Sequence, residues 1–123
     1  MHRIFLLLSS ILGILSVAIG AFGAHGLRKL LEANGRQETF ETAVKYQFYH
    51  TLALLLLGIL LQTMAHKSLE WAGWLFLAGI LIFSGSLYAL CLTNVTKWGA
   101  VTPIGGLFLI AGWGCMAWGI YKS

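Results

Sequence analysis

The chain has no aspartate, and its four acidic residues, Glu32, Glu38, Glu41 and Glu70, all lie outside its long apolar runs. This leaves no paired carboxylates for acid–base chemistry and no membrane-embedded carboxylate of the kind proton-coupled export usually needs. Charge of either sign is scarce. Only 10% of the 123 residues are charged, against about 25% in soluble domains. Cysteine occurs twice, at Cys91 and Cys115. On a returning pair of membrane helices these two fall roughly 25 Å apart in depth, which excludes a disulfide or a shared metal and leaves them as packing residues. Proline occurs once, at Pro103, where it reads as a helix start signal, since its missing amide costs nothing in a first turn. No nucleophile elbow accompanies the histidines and serines, so the residues offer no catalytic constellation.

What the chain has is apolar length. Its mean hydropathy is +0.83, and the charges fall in clusters that leave four uncharged windows, Ile4–Ala24, Tyr46–Ala65, Trp71–Thr93 and Trp98–Tyr121. About 20 residues of helix cross a hydrocarbon core of roughly 30 Å, and in lipid every backbone amide must be satisfied within its own segment. The expected fold is therefore an all-α membrane protein, one domain over residues 1–123, with four transmembrane helices in a compact bundle. The first window is longer than a signal-peptide core of about 7–15 residues and is expected to stay as a span. Trp71, Trp98, Trp118 and Tyr121 mark span ends, where amphipathic rings prefer the headgroup level.

Between the first two spans, residues 25–45 are not featureless. Leu27, Leu30 and Leu31 share one helical face, and "NG" at 34–35 is a stop signal. Phe40, Val44 and Phe48 then recur at spacing four into the second span. A short amphipathic segment in the interface is expected there, followed by a helix that starts outside the membrane and enters it. Basic residues number three on the side of the termini (Arg3, Lys67, Lys122) and five on the other (Arg28, Lys29, Arg36, Lys45, Lys97). That balance favours a cytoplasmic 25–45 loop with both termini outside. These residues form no stripe of the nucleic-acid-reading kind, so the expected partner is the lipid bilayer and its anionic headgroups, not nucleic acid.

Small residues form stripes. Ser9, Gly13, Ser16, Gly20 and Gly23 follow a 4-3-4-3 spacing. Gly105, Gly112 and Gly119 recur every seven residues, as do Ala72, Gly79 and Ser86. Membrane helices associate through close approach at such residues, so each stripe is an expected packing seam, and a homo-oligomer is left open. The polar residues are expected on the 25–45 side of the membrane. His25, Tyr46, Gln47, His50, Ser84, Ser86 and Thr102 fall there by helix direction, with His25 and His50 at similar depth. Three readings of this cluster compete: interhelical hydrogen bonding, a site for a small ligand, ion or lipid headgroup, and a metal or haem site. His25 and His50 alone give a metal an incomplete ligand set, so no metal and no cofactor is expected.

The segments "GAFGAHGL", "YQFYHTLALL", "SGSLY" and "TPIGG…AGW", in this order and spacing, resemble the YgdD/YwdK family of small bacterial membrane proteins. The resemblance runs from about Gly20 to Trp113. Its motif positions fall on Gly20–His25; on Tyr46, Gln47 and His50; on Ser84, Gly85 and Ser86; and on Thr102, Pro103, Gly105 and Gly106. It implies a four-span protein of the bacterial inner membrane and brings no biochemical activity with it. The leading expectation is a non-enzymatic membrane protein that binds a small ligand, ion or headgroup in the polar cluster. The alternatives are an assembly subunit of a membrane complex and a small oligomeric transporter or channel.

Overall fold

The computed structural model describes residues 2–123 and is all helical. The elements are α1 (His2–His25), α2 (Arg28–Asn34), α3 (Gln37–Leu60), α4 (Lys67–Thr93) and α5 (Trp98–Lys122). Four of them, with 24, 24, 27 and 25 residues, are long and apolar enough to cross a membrane. The stops follow from local chemistry. Gly35 ends α2 with φ 65°, the left-handed conformation that glycine adopts without a Cβ clash. Asn94 ends α4 in the same region at φ 55°, and the His66 ring caps α4 by accepting from the Ser68 amide at 3.1 Å.

Helix α3 begins nine residues before the apolar window at Tyr46 and ends before the window does, because hydropathy records polarity and not where helical hydrogen bonding starts. Residues 61–63 leave the helix through tight turns, with Gln62 N–H to Ile59 O at 3.2 Å and Thr63 N–H to Leu60 O at 3.0 Å. Pro103 corrects the expectation of a first-turn proline. Helix α5 starts at Trp98, so Pro103 lies inside it, in the second turn. The short loop at 94–97 tightens into the helix through i→i+3 bonds from Trp98, Gly99 and Ala100, which extends α5 backward past the proline.

Helices α3 and α4 are central and α1 and α5 outer. Of their most apolar windows 44% is buried in each central helix, against 22% in α1 and 17% in α5. The α4–α5 seam has one antiparallel register from end to end. Gly119 lies against Leu69, Gly112 against Phe76, Leu109 against Gly79, and Gly105 against Phe83. At Gly105 the approach is backbone to backbone, because an added Cβ would fall on the Phe83 main chain, 2.7 Å from its Cα. On the other side, α1 meets α3 with Gly20 beside Val44 and Gly23 beside the Phe40 ring. The Phe5 ring crosses from α1 into the slot at Gly73 of α4 and meets Trp74 edge-on at 5.2 Å. Leu54, Leu57, Leu69 and Phe76 complete that core. A second cluster, Leu31, Phe40 and Cys91, fastens α2 to α3 and α4, while Leu30 faces outward.

The glycines thus differ in what surrounds them. Gly105→Ala is expected to lower stability by about 1–3 kcal/mol, the usual cost of overpacking. Gly13→Ala and Gly114→Ala, where nothing lies within 4 Å, are expected to be neutral or to gain up to about 1 kcal/mol from helix propensity. Thermal or SDS unfolding of the three variants in detergent measures the difference; equal losses at all three would show that the seam is not what holds α5.

Candidate functional site

Each polar side chain singled out in the sequence has a definite place. The Ser84 hydroxyl donates to Ala43 O across α3 and α4 at 2.7 Å. Gln47 bridges three helices: its Nε2 donates to Leu12 O on α1 at 3.4 Å, and its Oε1 accepts from the Tyr88 hydroxyl on α4 at 2.5 Å. Ser86 and Thr102 join α4 to α5 through their hydroxyls at 2.5 Å. His50 Nε2 accepts from the Trp113 indole N–H of α5 at 3.0 Å, and its Nδ1 lies 2.9 Å from Tyr46 O. Indole only donates, so Nε2 must be the bare nitrogen and Nδ1 must carry the proton, which it donates to Tyr46 O. Phe76 and Trp113 pack around the imidazole at centroid distances of 5.7 and 5.9 Å, with the Tyr46 ring stacked at 6.1 Å.

Apart from the Nδ1–H bond within α3, these bonds run between helices and turn toward no common cavity. His25 does not join them: it is exposed at the last residue of α1, without a hydrogen bond among the described residues. The expected equal depth of the two histidines is also corrected. With Gly20 beside Val44, Gly23 beside Phe40 and Gly58 beside Leu6, His25 is level with the first turns of α3. His50 lies about ten residues, or ~15 Å, deeper, level with the middle of α1. The early start of α3 causes this. Tyr88 and Trp113 stand in the quoted motifs without an assigned partner in the sequence reading. The signal available for Trp113 was its indole N–H, which needs an acceptor inside hydrocarbon.

A cleft opens elsewhere, at the 25–45 end of the bundle. It lies between the end of α1, α2 and the first turns of α3, and holds about 370 Å³. Gly20, Gly23, Leu31, Phe40 and Val44 make an apolar floor; Arg28, Lys45, Gln37 and Glu41 stand at its rim. Gly23 admits the Phe40 ring and Gly20 lets Val44 approach, so α1 and α3 close the floor of the cleft between them. Arg28 Nε pairs with Glu32 at 3.2 Å, the one ion pair among the described residues. That pairing uses only one edge of the guanidinium, and Lys45 has no ion pair among the described residues. The rim therefore carries two cationic side chains, one of them shared with Glu32, and the carboxylate of Glu41 above a greasy floor. Asn34 Nδ2 donates to Cys91 O at 3.0 Å and Arg36 Nε to Asn94 Oδ1 at 3.0 Å, which ties the α2–α3 turn to the end of α4. No three metal-ligating side chains converge among the described residues.

Residues 19–106 match the family described as "Protein of unknown function (DUF423)". The chain belongs to this family. It is 46% identical over 111 residues to the UPF0382 membrane protein SH2409 of Staphylococcus haemolyticus, covering 90% of this chain and 89% of that one. The UPF0382 membrane protein SSP2132 of Staphylococcus saprophyticus is 43% identical over 98% of both chains. The UPF0382 membrane protein YwdK of Bacillus subtilis is 41% identical over 90% of both. No solved structure matches the chain. The family stretch takes in the cleft, Gln47, His50 and Thr102 and ends before Trp113. With four apolar helices, this DUF423 protein is a multi-pass membrane protein.

The histidine geometry is checkable. Nitrogen-15 NMR of the protein in micelles is expected to give His50 as the neutral Nδ1–H tautomer near neutral pH, and Trp113→Phe to release that preference while costing about 0.6 kcal/mol, the typical worth of an interhelical bond in a membrane. His25→Asn is expected to leave the His50 signals where they were. A shift on that substitution would mean that the two histidines share a site after all.

Proposed function

We propose that the protein binds the headgroup of an anionic membrane lipid in the cleft between α1, α2 and α3. The observation that carries this reading is the pairing of unspent cationic donors on Arg28 and Lys45 with an apolar floor at the level where α1 leaves the hydrocarbon. A phosphate needs the first and the glycerol end of a lipid tolerates the second. The polar cluster of His50, Gln47, Ser84, Ser86 and Thr102 then acts as the frame that holds helix register, since its bonding capacity is directed between helices. The basic bias of the 25–45 side supports placing the cleft at the cytoplasmic leaflet of the plasma membrane, where anionic lipids attract basic residues.

Each cation near an anionic surface contributes about 1 kcal/mol. The double variant Arg28→Gln/Lys45→Gln is therefore expected to retain phosphatidylglycerol roughly 30-fold less well than the wild type, measured by native mass spectrometry from mixed phosphatidylglycerol–phosphatidylcholine nanodiscs. Phosphatidylcholine retention is expected to stay constant. Retention of both lipids at wild-type level in the variant would remove the headgroup from the cleft. Orientation is tested separately: a cysteine introduced by Arg36→Cys, in a background lacking Cys91 and Cys115, is expected to resist a membrane-impermeant maleimide in intact cells and to react after permeabilisation.

A further inference from the structure

The headgroup cleft does not end at its apolar floor. A second depression of about 320 Å³ lies between α1 and α3, lined by Ser10, Gly13 and Val17 on one wall and Phe48, Leu52 and Leu55 on the other. Taken with the cleft, the α1 wall runs Ser10, Gly13, Val17, Gly20, Ala24 and the α3 wall runs Leu55, Leu52, Phe48, Lys45, Glu41. Both series alternate steps of three and four residues, the spacing of a single helical face. The two depressions therefore lie in line along one face of the same helix pair, and that line, from the charged rim down past the middle of α1, is the α1–α3 groove. Gly13 keeps it open, because nothing approaches within 4 Å of where its Cβ would stand.

Thr51 lines the lower depression. It is 2% exposed, and its hydroxyl oxygen is the one buried side-chain polar atom without a hydrogen-bond partner among the described residues. In hydrocarbon such a group is costly. A hydrocarbon chain fits the groove's walls but cannot satisfy that hydroxyl, whereas a glycerophospholipid carries ester carbonyls below its phosphate. Thr51 is six residues beyond Lys45 along α3, ~9 Å deeper than the rim.

We infer that one ester-linked acyl chain of an anionic glycerophospholipid lies in the α1–α3 groove, with the Thr51 hydroxyl donating to its ester carbonyl. This rests on the headgroup reading above and adds to it the lipid's tail and linkage. The rim supplies charge recognition, and the groove distinguishes a lipid from a soluble phosphate.

The probes are phosphatidylglycerol, its ether-linked analogue and glycerol 1-phosphate, each offered to the full chain in phosphatidylcholine nanodiscs. Gly13→Trp and Leu52→Trp fill the groove from opposite walls without entering the rim; Gly114→Trp, on the open face of α5, is the control. Expected are an at least tenfold loss of phosphatidylglycerol retention in both groove variants and wild-type retention in the control. Glycerol 1-phosphate binding is expected to be unchanged in all three. The ether analogue is expected to bind the wild type about threefold more weakly than the ester lipid, and Thr51→Val to abolish that difference. If the groove variants keep phosphatidylglycerol while Arg28→Gln/Lys45→Gln loses it, the headgroup reading stands and the groove inference falls. If the double variant also keeps it, both fall. If Gly13→Trp turns a dimer into a monomer with lipid still bound, the groove belongs to a second copy of the chain and the inference is overturned.

Discussion

The close approach of α4 and α5 is the contact on which the other packing depends. Apolar side chains gain little by leaving lipid for one another, so two membrane helices need backbone proximity or polar bonds to associate specifically. Gly105 against the Phe83 main chain supplies the first and Ser86 against Thr102 the second, one turn apart on the same seam. Once α5 is set against α4 in that register, Trp113 stands where its indole N–H reaches His50 on α3. The placement of α3 then follows from Ser84 to Ala43 and Tyr88 to Gln47. Helix α1 is added last, through glycines, a ring in a slot and one long bond from Gln47.

This order explains why the conspicuous polar residues do not form a pocket. A buried polar group in lipid requires a partner, and here the partners are on neighbouring helices. Ser84, Gln47, Tyr88, the Ser86–Thr102 pair and His50 Nε2 are each used in joining two elements, and a ligand competing for them would loosen the bundle. The groups left over are at its margin. They include the guanidinium edge of Arg28, the ammonium of Lys45, the carboxylate of Glu41 and, deeper, the hydroxyl of Thr51. Binding chemistry is sought where the fold has capacity to spare, not where polarity is densest.

Patterns carried along one helix were legible in the sequence; relations between helices were not. Four uncharged windows, the Asn34–Gly35 stop and the heptad glycines are properties of a single segment, and each maps onto an element or a contact. The depth of His50 is different. It depends on where α3 begins and on which α1 glycine faces which α3 side chain, and a hydropathy window contains neither fact. Pro103 is a different case: it stands five residues inside a window that begins at Trp98, so the start of that window already sets it in the second turn of α5. The cleft was hidden more deeply. Arg28, Phe40 and Lys45 look like an ordinary charged loop with scattered aromatics until α2 folds back over α3. Tyr88 and Trp113 sat in plain view, but only tertiary packing chooses Gln47 and His50 as their partners.

The cleft's rigid and yielding walls follow from the same hierarchy. Arg28 stands on α2, which is too short to be stable alone. Its position comes from Leu31 in the Phe40–Cys91 cluster and from the Asn34 and Arg36 bonds to the end of α4. Lys45 stands on α3, in the central pair. Both cations are thus referred to the central pair, Arg28 through α4 and Lys45 through α3. The opposite wall is α1, an outer helix whose apolar window is only 22% buried and which meets this end through Ile19, Gly20 beside Val44 and the Phe40 ring at Gly23. The Phe40 ring fills the place a side chain at Gly23 would take and so interlocks the two helices there. In the proposed binding mode α1 is the wall of the cleft with the least buried surface to give up, while the rim cations stay referred to α3 and α4.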